Sequence, residues 1–136
     1  LRIRKILTIY NKQDFYRAAK VAERTANITK GERGLDKERV ISGLFKEKEE
    51  RALWEVYLKH KDRIIEKIDK KEYDIVTVLY GRVFYDIIHR FFDEVLVNVE
   101  DSALRRNRKA MLYLINNLMA QRVADLKEME VLKDAK

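Results

Sequence analysis

Cysteine and proline are both absent from this 136-residue chain, and each absence removes a class of architecture. Without cysteine there are no disulfides and no thiolate metal sites, which fits an intracellular protein without fixing its compartment. Without proline, against an average usage of about 5%, long uninterrupted helices are permitted almost everywhere. Glycine is scarce, at positions 31, 34, 43 and 81 only. Serine is limited to Ser42 and Ser102, with no nucleophile-elbow pattern around either. The two histidines, His60 and His89, are far apart and outside any metal-ligand spacing, and His60 falls in an apolar stripe as a core or partly buried residue. No apolar run approaches the ~18 residues of a membrane span and no signal-peptide pattern opens the chain, so no membrane association is expected. The opening at Leu1 reads as a piece of a longer protein.

Charge is abundant. Charged residues make up 39% of the chain, with a net charge of +7. Residues 1–39 carry 11 basic and 5 acidic groups, 40–100 carry 11 and 13, and 101–136 carry 8 and 5. Both ends, rather than the middle, invite a polyanion.

Periodicity predicts one all-α domain over 1–136, an antiparallel bundle with helices over 2–10, 13–29, 46–70, 73–92 and 102–126. The 13–29 helix places Phe15, Ala18, Ala19, Ala22 and Ala26 on an apolar face. The 46–70 helix lays Leu53, Val56, Tyr57, Ile64 and Ile68 along one stripe. The 73–92 helix is apolar nearly all round, with Val76, Leu79, Tyr80, Val83, Ile87 and Phe91 as its densest side, and is expected to be the most buried. Residues 31–45 form a connection, with Val40 to Phe45 packing down.

Catalytic patterns are missing. Asp62 and Glu66 sit four apart among lysines as a solvated ion-pair face, and Gly31-Glu32-Arg33-Gly34 is too short for a phosphate-binding glycine fingerprint. Binding remains, and two basic constellations are candidates for it. Arg17, Lys20, Arg24 and Asn27 are spaced by 3, 4 and 3, on one side of their helix, where they can follow a phosphate backbone or form an ordinary solvated face. Arg105, Arg106, Arg108 and Lys109 open the last helix, where cations oppose the helix dipole, so local stability does not explain them. Asp101 or Ser102 can cap that helix. At about 100° per residue, Asn107 and Arg108 fall inside the bundle-facing arc, Arg105 lies at its edge, and Arg106 and Lys109 face water. Arg108 is a candidate for an ion pair with Asp86, Asp93 or Glu94 as much as for an RNA contact.

The segment from Phe91-Phe92-Asp93-Glu94 through Asp101-Ser102-Ala103-Leu104-Arg105 to Asn107-Arg108 resembles the hallmark of the glycyl-tRNA synthetase β subunit, including a variant of the DALR signature of its anticodon-binding domain. Val123-Ala124-Asp125-Leu126 is similar to that family's C-terminal ending, and Arg24, Asn27 and Ile28 match a second pattern; Glu23 stands where a basic residue is usual, and the tail over 127–136 is longer and more charged. The resemblance implies a DALR-type helical domain that holds the anticodon arm of glycine tRNA in a cytoplasmic α2β2 enzyme. It implies no cofactor here, with ATP and Mg²⁺ used by the α subunit. On the same reading Arg17, Lys20, Arg24, Asn27, Arg105, Arg106, Arg108 and Lys109 are the RNA-binding candidates. The anticodon domain of arginyl-tRNA synthetase and a helical protein-interaction module without RNA are the two alternatives.

Overall fold

A computed structural model describes residues 12–120. The expected helix over 2–10, the end of the last helix over 121–126 and the charged tail lie outside the described residues. Within them the chain forms four α-helices, which we number α1 (Lys12–Thr29), α2 (Lys48–Asp69), α3 (Tyr73–Glu94) and α4 (Ser102–Ala120), with single 3₁₀ turns at Leu35–Lys37 and Ser42–Leu44 and no strand. The predicted all-α bundle is therefore what forms.

Each helix boundary has a local cause. At the start of α2, Glu47 and Glu50 form a reciprocal capping box, which satisfies amide groups that no helical carbonyl can reach. At its end the Lys71 amide bonds Ile68 O and the Glu72 amide bonds Lys67 O, while Lys71 itself is left-handed at φ 61°. This is a Schellman turn built on lysine instead of glycine, so no composition signal marked it. For α4 the cap is Asp101, whose Oδ1 accepts the amides of Ala103 at 3.0 Å and Leu104 at 3.2 Å. In the segment Asp101 to Arg105, then, the aspartate caps, Leu104 packs inward, and Arg105 reaches back to the carbonyls of Val99 and Glu100.

Helix α3 packs against both α1 and α2, and α4 packs against α1 and, less extensively, α2. Across the centre, the Tyr80 hydroxyl donates to the Ile115 carbonyl at 2.8 Å. Burial drives that phenol's pKa well above its ordinary value. Tyr80, Phe84, Phe91, Leu53, Ile64, Ile88, Met111, Leu112 and Ile115 are the largest enclosed side chains.

Successive helices α2, α3 and α4 alternate in direction, as short connections require. Helix α1 keeps this alternation but lies beside α3 and α4 instead of α2, its neighbour in sequence. Asp14 meets Arg82, Arg17 meets Tyr85 and Arg24 meets Phe92, so positions rise together and α1 runs parallel to α3. The connection between α1 and α2 is long enough to cross the end of the bundle, which frees α1 from pairing with α2.

Two further expectations are corrected. The inner face of α1 is Asp14, Ala18, Val21 and Thr25, whereas Ala19 and Ala26 are exposed. Alanines bury little area, so Val21 sets the face, and the two polar residues are tolerated because both are bonded. Asp14 accepts from Arg82; the Thr25 hydroxyl donates to Val21 O and accepts from Asn116. Likewise α4, and not α3, is buried over the larger share of its length. Its first turns are covered by the bundle on one side and by the crossing connection on the other.

Gly81 is what lets the parallel pair approach. A Cβ there would lie 2.9 Å from the Ala18 amide nitrogen and 3.1 Å from the Asp14 carbonyl oxygen, both backbone atoms that cannot swing aside. Gly81→Ala gains about 1 kcal/mol of helix propensity but forces α1 off α3, an overpacking cost of roughly 1–3 kcal/mol. The expected net result is a lower Tm in thermal unfolding. A raised Tm in that variant rules out this close crossing.

Candidate nucleic-acid interface

The four cations that open α4 do not form one exposed patch. Arg108 is enclosed, its side chain 5% exposed, and pairs with Glu50, itself 1% exposed, through Nε at 3.1 Å and Nη2 at 3.2 Å. Its third bond, from Nη1 at 2.7 Å, goes to the Leu96 carbonyl. The sequence placed Arg108 inside the bundle in an ion pair, and so it is, but the partner is Glu50 of α2 rather than Asp86, Asp93 or Glu94. Glu50 also accepts the amides of Lys46 and Glu47, both at 2.9 Å. Burial is the largest single influence on its carboxyl and pushes the pKa up, yet Arg108 and the two amides together outweigh it and hold the pKa below the ordinary value.

Arg106 and Lys109, expected to face water, face the crossing connection. Lys109 has a side chain only 9% exposed and donates to Glu32 Oε1 at 3.1 Å. Arg106 is half-buried, donating to Glu32 at 3.0 Å, to Glu38 at 2.7 and 3.0 Å, and to the Arg33 carbonyl at 3.0 Å. Arg105 completes the cluster at 3.8 Å from Glu32. The Lys109 hydrogen bond foremost, aided by the charges of all three cations, depresses the Glu32 carboxyl pKa. Gly31 and Gly34, with φ of 87° and 77°, turn the chain so that Glu32 sits over these cations. Asn107 fastens the same connection, accepting the Ile41 amide at 2.7 Å and donating to the Ile41 carbonyl at 3.1 Å. A helical wheel treats the side away from the bundle as solvent, and here that side is occupied by residues 31–41.

The depressed carboxylates and His60 set an acid limit. Both acids have folded pKa values below the ordinary 4.5, so their stabilisation is complete above that value and is lost as pH falls through the folded values. His60 has its pKa lowered from 6.5, by burial first and then by Lys59 and Arg63. The unfolded chain therefore takes up this proton first, and loss begins as pH drops below about 6.5. Urea unfolding across pH 3–7 should show stability declining in these two stages, with Glu50→Gln flattening the lower one. A flat profile below pH 5 contradicts the assignment.

The α1 stripe is different. Lys20 and Asn27 project outward, while Arg17 and Arg24 lean onto α3. Lys20 bonds the exposed Glu23 at 3.0 Å, and that hydrogen bond raises its pKa above the usual lysine value. Arg17 lies 5.8 Å from the centre of the Tyr85 ring, and Arg24 lies 4.4 Å from the centre of Phe92. Arg24 also donates to His89 Nδ1 at 3.2 Å. Because a guanidinium only donates, His89 Nδ1 must accept, leaving the imidazole proton on Nε2.

Between α1 and α3 these residues enclose a cleft of about 250 Å³, lined by Tyr16, Lys20, Val21, Arg24, Tyr85, Ile88 and His89. Tyr16 and Tyr85 have ring centres 6.4 Å apart, and Tyr85 and His89 are 5.6 Å apart. The sequence reading found the cations and missed the rings. Their signal was available: Tyr85, His89 and Phe92, spaced by 4 and 3, form a second stripe on α3 beside the buried one. Among the described residues no group of three His, Asp or Glu is placed to hold a metal ion, and no helix is long and apolar enough to cross a membrane.

Fold and cleft together define an all-helical domain whose concave surface combines cations with aromatic rings. Over 125 residues, 91% of its length, the chain is 35% identical to the glycine-tRNA ligase beta subunit of Trichlorobacter lovleyi, of which it covers 17%. It is 34% identical over 104 residues to the corresponding protein of Actinobacillus succinogenes, covering 76% of this chain and 15% of that one, and 28% identical over 125 residues to that of Thermodesulfovibrio yellowstonii, covering 92% and 18%. The chain thus spans about one sixth of the length of these relatives. No family profile matches it, and no solved structure does. The chain belongs, over the segment it spans, to the glycine-tRNA ligase β-subunit family.

Proposed function

We propose that this chain is the C-terminal anticodon-binding domain of a glycine-tRNA ligase β subunit, and that it holds the anticodon arm of glycine tRNA against the α1–α3 face. The observation that carries this reading is the juxtaposition of Arg17, Lys20 and Arg24 with Tyr16, Tyr85 and Phe92 on one surface. Single-stranded RNA loops are gripped by that combination, cations for phosphates and flat rings for unstacked bases. Asn27 extends the surface along the same helix. The α4 cations serve chiefly as scaffold, since Arg106, Arg108 and Lys109 already hold Glu32, Glu38 and Glu50, and Arg105 at the edge is the one best placed for an added phosphate.

Glycine activation with ATP and Mg²⁺ belongs, in this reading, to an α subunit in a cytoplasmic α2β2 enzyme, and this domain supplies RNA binding alone. The test is binding of glycine tRNA to the chain over a salt series. The reading expects log K to fall with log salt, at a slope near one unit for each phosphate neutralised. A slope near zero, or equal affinity for an uncharged control ligand, favours a protein-interaction module instead. Preference for arginine tRNA over glycine tRNA points to the other synthetase class.

A further inference from the structure

The cleft between α1 and α3 is too small for a drug-sized ligand, which takes roughly 300–1,000 Å³, but at about 250 Å³ it suits a single flat heterocycle. Its floor is apolar, made by Val21 and Ile88, both almost fully enclosed. Its wall is Tyr16, which leaves 51% of its surface in solvent, an unusual placement for a large ring with aromatic neighbours so near. The rim is polar. Lys20 Nζ stands 5.9 Å from the Tyr16 ring centre, and His89 is exposed beside it.

The polar groups are arranged for a particular chemistry. Arg24 is fixed between Phe92 and His89, and its donation to Nδ1 leaves His89 with a donor, Nε2–H, on the side away from Arg24. An exposed neutral donor beside a stackable ring and an ammonium calls for a planar ligand with an acceptor on its edge and an anionic group one bond system away. A nucleotide has all three features. Resting on the RNA-binding reading above, we propose that this cleft takes one unstacked nucleobase, with Tyr16 as the stacking ring, His89 Nε2–H as donor to an edge acceptor, and Lys20 at its phosphate. Arg24, whose Nη1 alone is used on His89, holds the His89 tautomer in addition to its contact with the RNA backbone.

The experiment uses the chain and anticodon-arm hairpins of glycine tRNA in which each loop nucleotide is made abasic in turn. At one loop position, loss of the base should weaken binding to the wild-type chain roughly tenfold, the scale of one base–aromatic stack. Tyr16→Ala should lose a similar factor on the intact hairpin and nothing more on the hairpin abasic at that position, while Tyr16→Phe keeps wild-type affinity. For the edge contact, an apolar isostere of the same base should bind the wild-type chain more weakly than the natural base, and His89→Phe should no longer distinguish them. The proposal is overturned if Tyr16→Ala costs nothing, or if its loss adds equally to every abasic substitution. Discrimination retained by His89→Phe removes the edge contact. Absence of hairpin binding by the wild-type chain overturns the RNA-binding reading itself, whereas binding with additive losses leaves that reading intact and rejects only the base pocket.

Discussion

Arg108→Ala should be among the most destabilising single substitutions in this chain, lowering unfolding free energy by roughly 3–5 kcal/mol, the cost of stranding one member of an enclosed ion pair. The variant leaves Glu50 surrounded by protein with only the Lys46 and Glu47 amides to balance it, and leaves the Leu96 carbonyl without its guanidinium donor. Glu50 caps α2 and Arg108 rises from α4, so one substitution loosens a cap, an interhelical bond and the 95–101 connection together. Much of the effect should come from the orphaned charge and not from the worth of the pair. Accordingly, Glu50→Gln added to Arg108→Met should recover a large part of the loss in urea unfolding. If Arg108→Ala costs under about 1 kcal/mol, water reaches this pair and the enclosure argument is wrong.

The second large effect is on binding. Lys20→Ala combined with Arg24→Ala should reduce affinity for glycine tRNA roughly thirtyfold near 0.15 M salt and lower the salt slope by about two, one unit for each cation withdrawn from a phosphate. The two residues should differ in stability. Lys20 meets an exposed acid and stands near one tyrosine ring, so its removal should leave the Tm nearly unchanged. Arg24 covers Phe92 and bonds His89, so its removal should cost about 0.5–1 kcal/mol. Glu23→Gln, which releases Lys20 from its partner, should move affinity the other way. Unchanged affinity in the double variant places the RNA surface elsewhere, whatever the family.

The candidate site was half legible. Arg17, Lys20, Arg24 and Asn27 were recognisable because 3.6 residues per turn aligns them without reference to any other helix. Tyr85, His89 and Phe92 were equally periodic, but whether they join that stripe depends on how α1 crosses α3. Gly81 determines that crossing through a backbone contact, and an isolated glycine in a helix does not say which helix will touch it. The α4 cluster was misread for a related reason. Arg106 and Lys109 do point away from the bundle's arc, and the wheel was right about direction, but Glu32 and Glu38 arrive from more than seventy and nearly seventy residues earlier in the chain to meet them.

What the sequence by itself determined was local. The absence of proline, the apolar periods and the Asp101 cap specify four described helices, because helix formation depends on neighbours within a turn or two. The family resemblance was also local, carried by a continuous stretch from Phe91 to Arg108. Tertiary structure alone decided the packing of α1 against α3 in place of α2, the choice of Glu50 as partner to Arg108, and the conversion of two outward cations into anchors for the crossing connection. Those outcomes rest on free energies shared between residues distant in the chain: which surfaces bury most, and which charges must be paired once buried. A single helix carries no information about them until another segment occupies its far side.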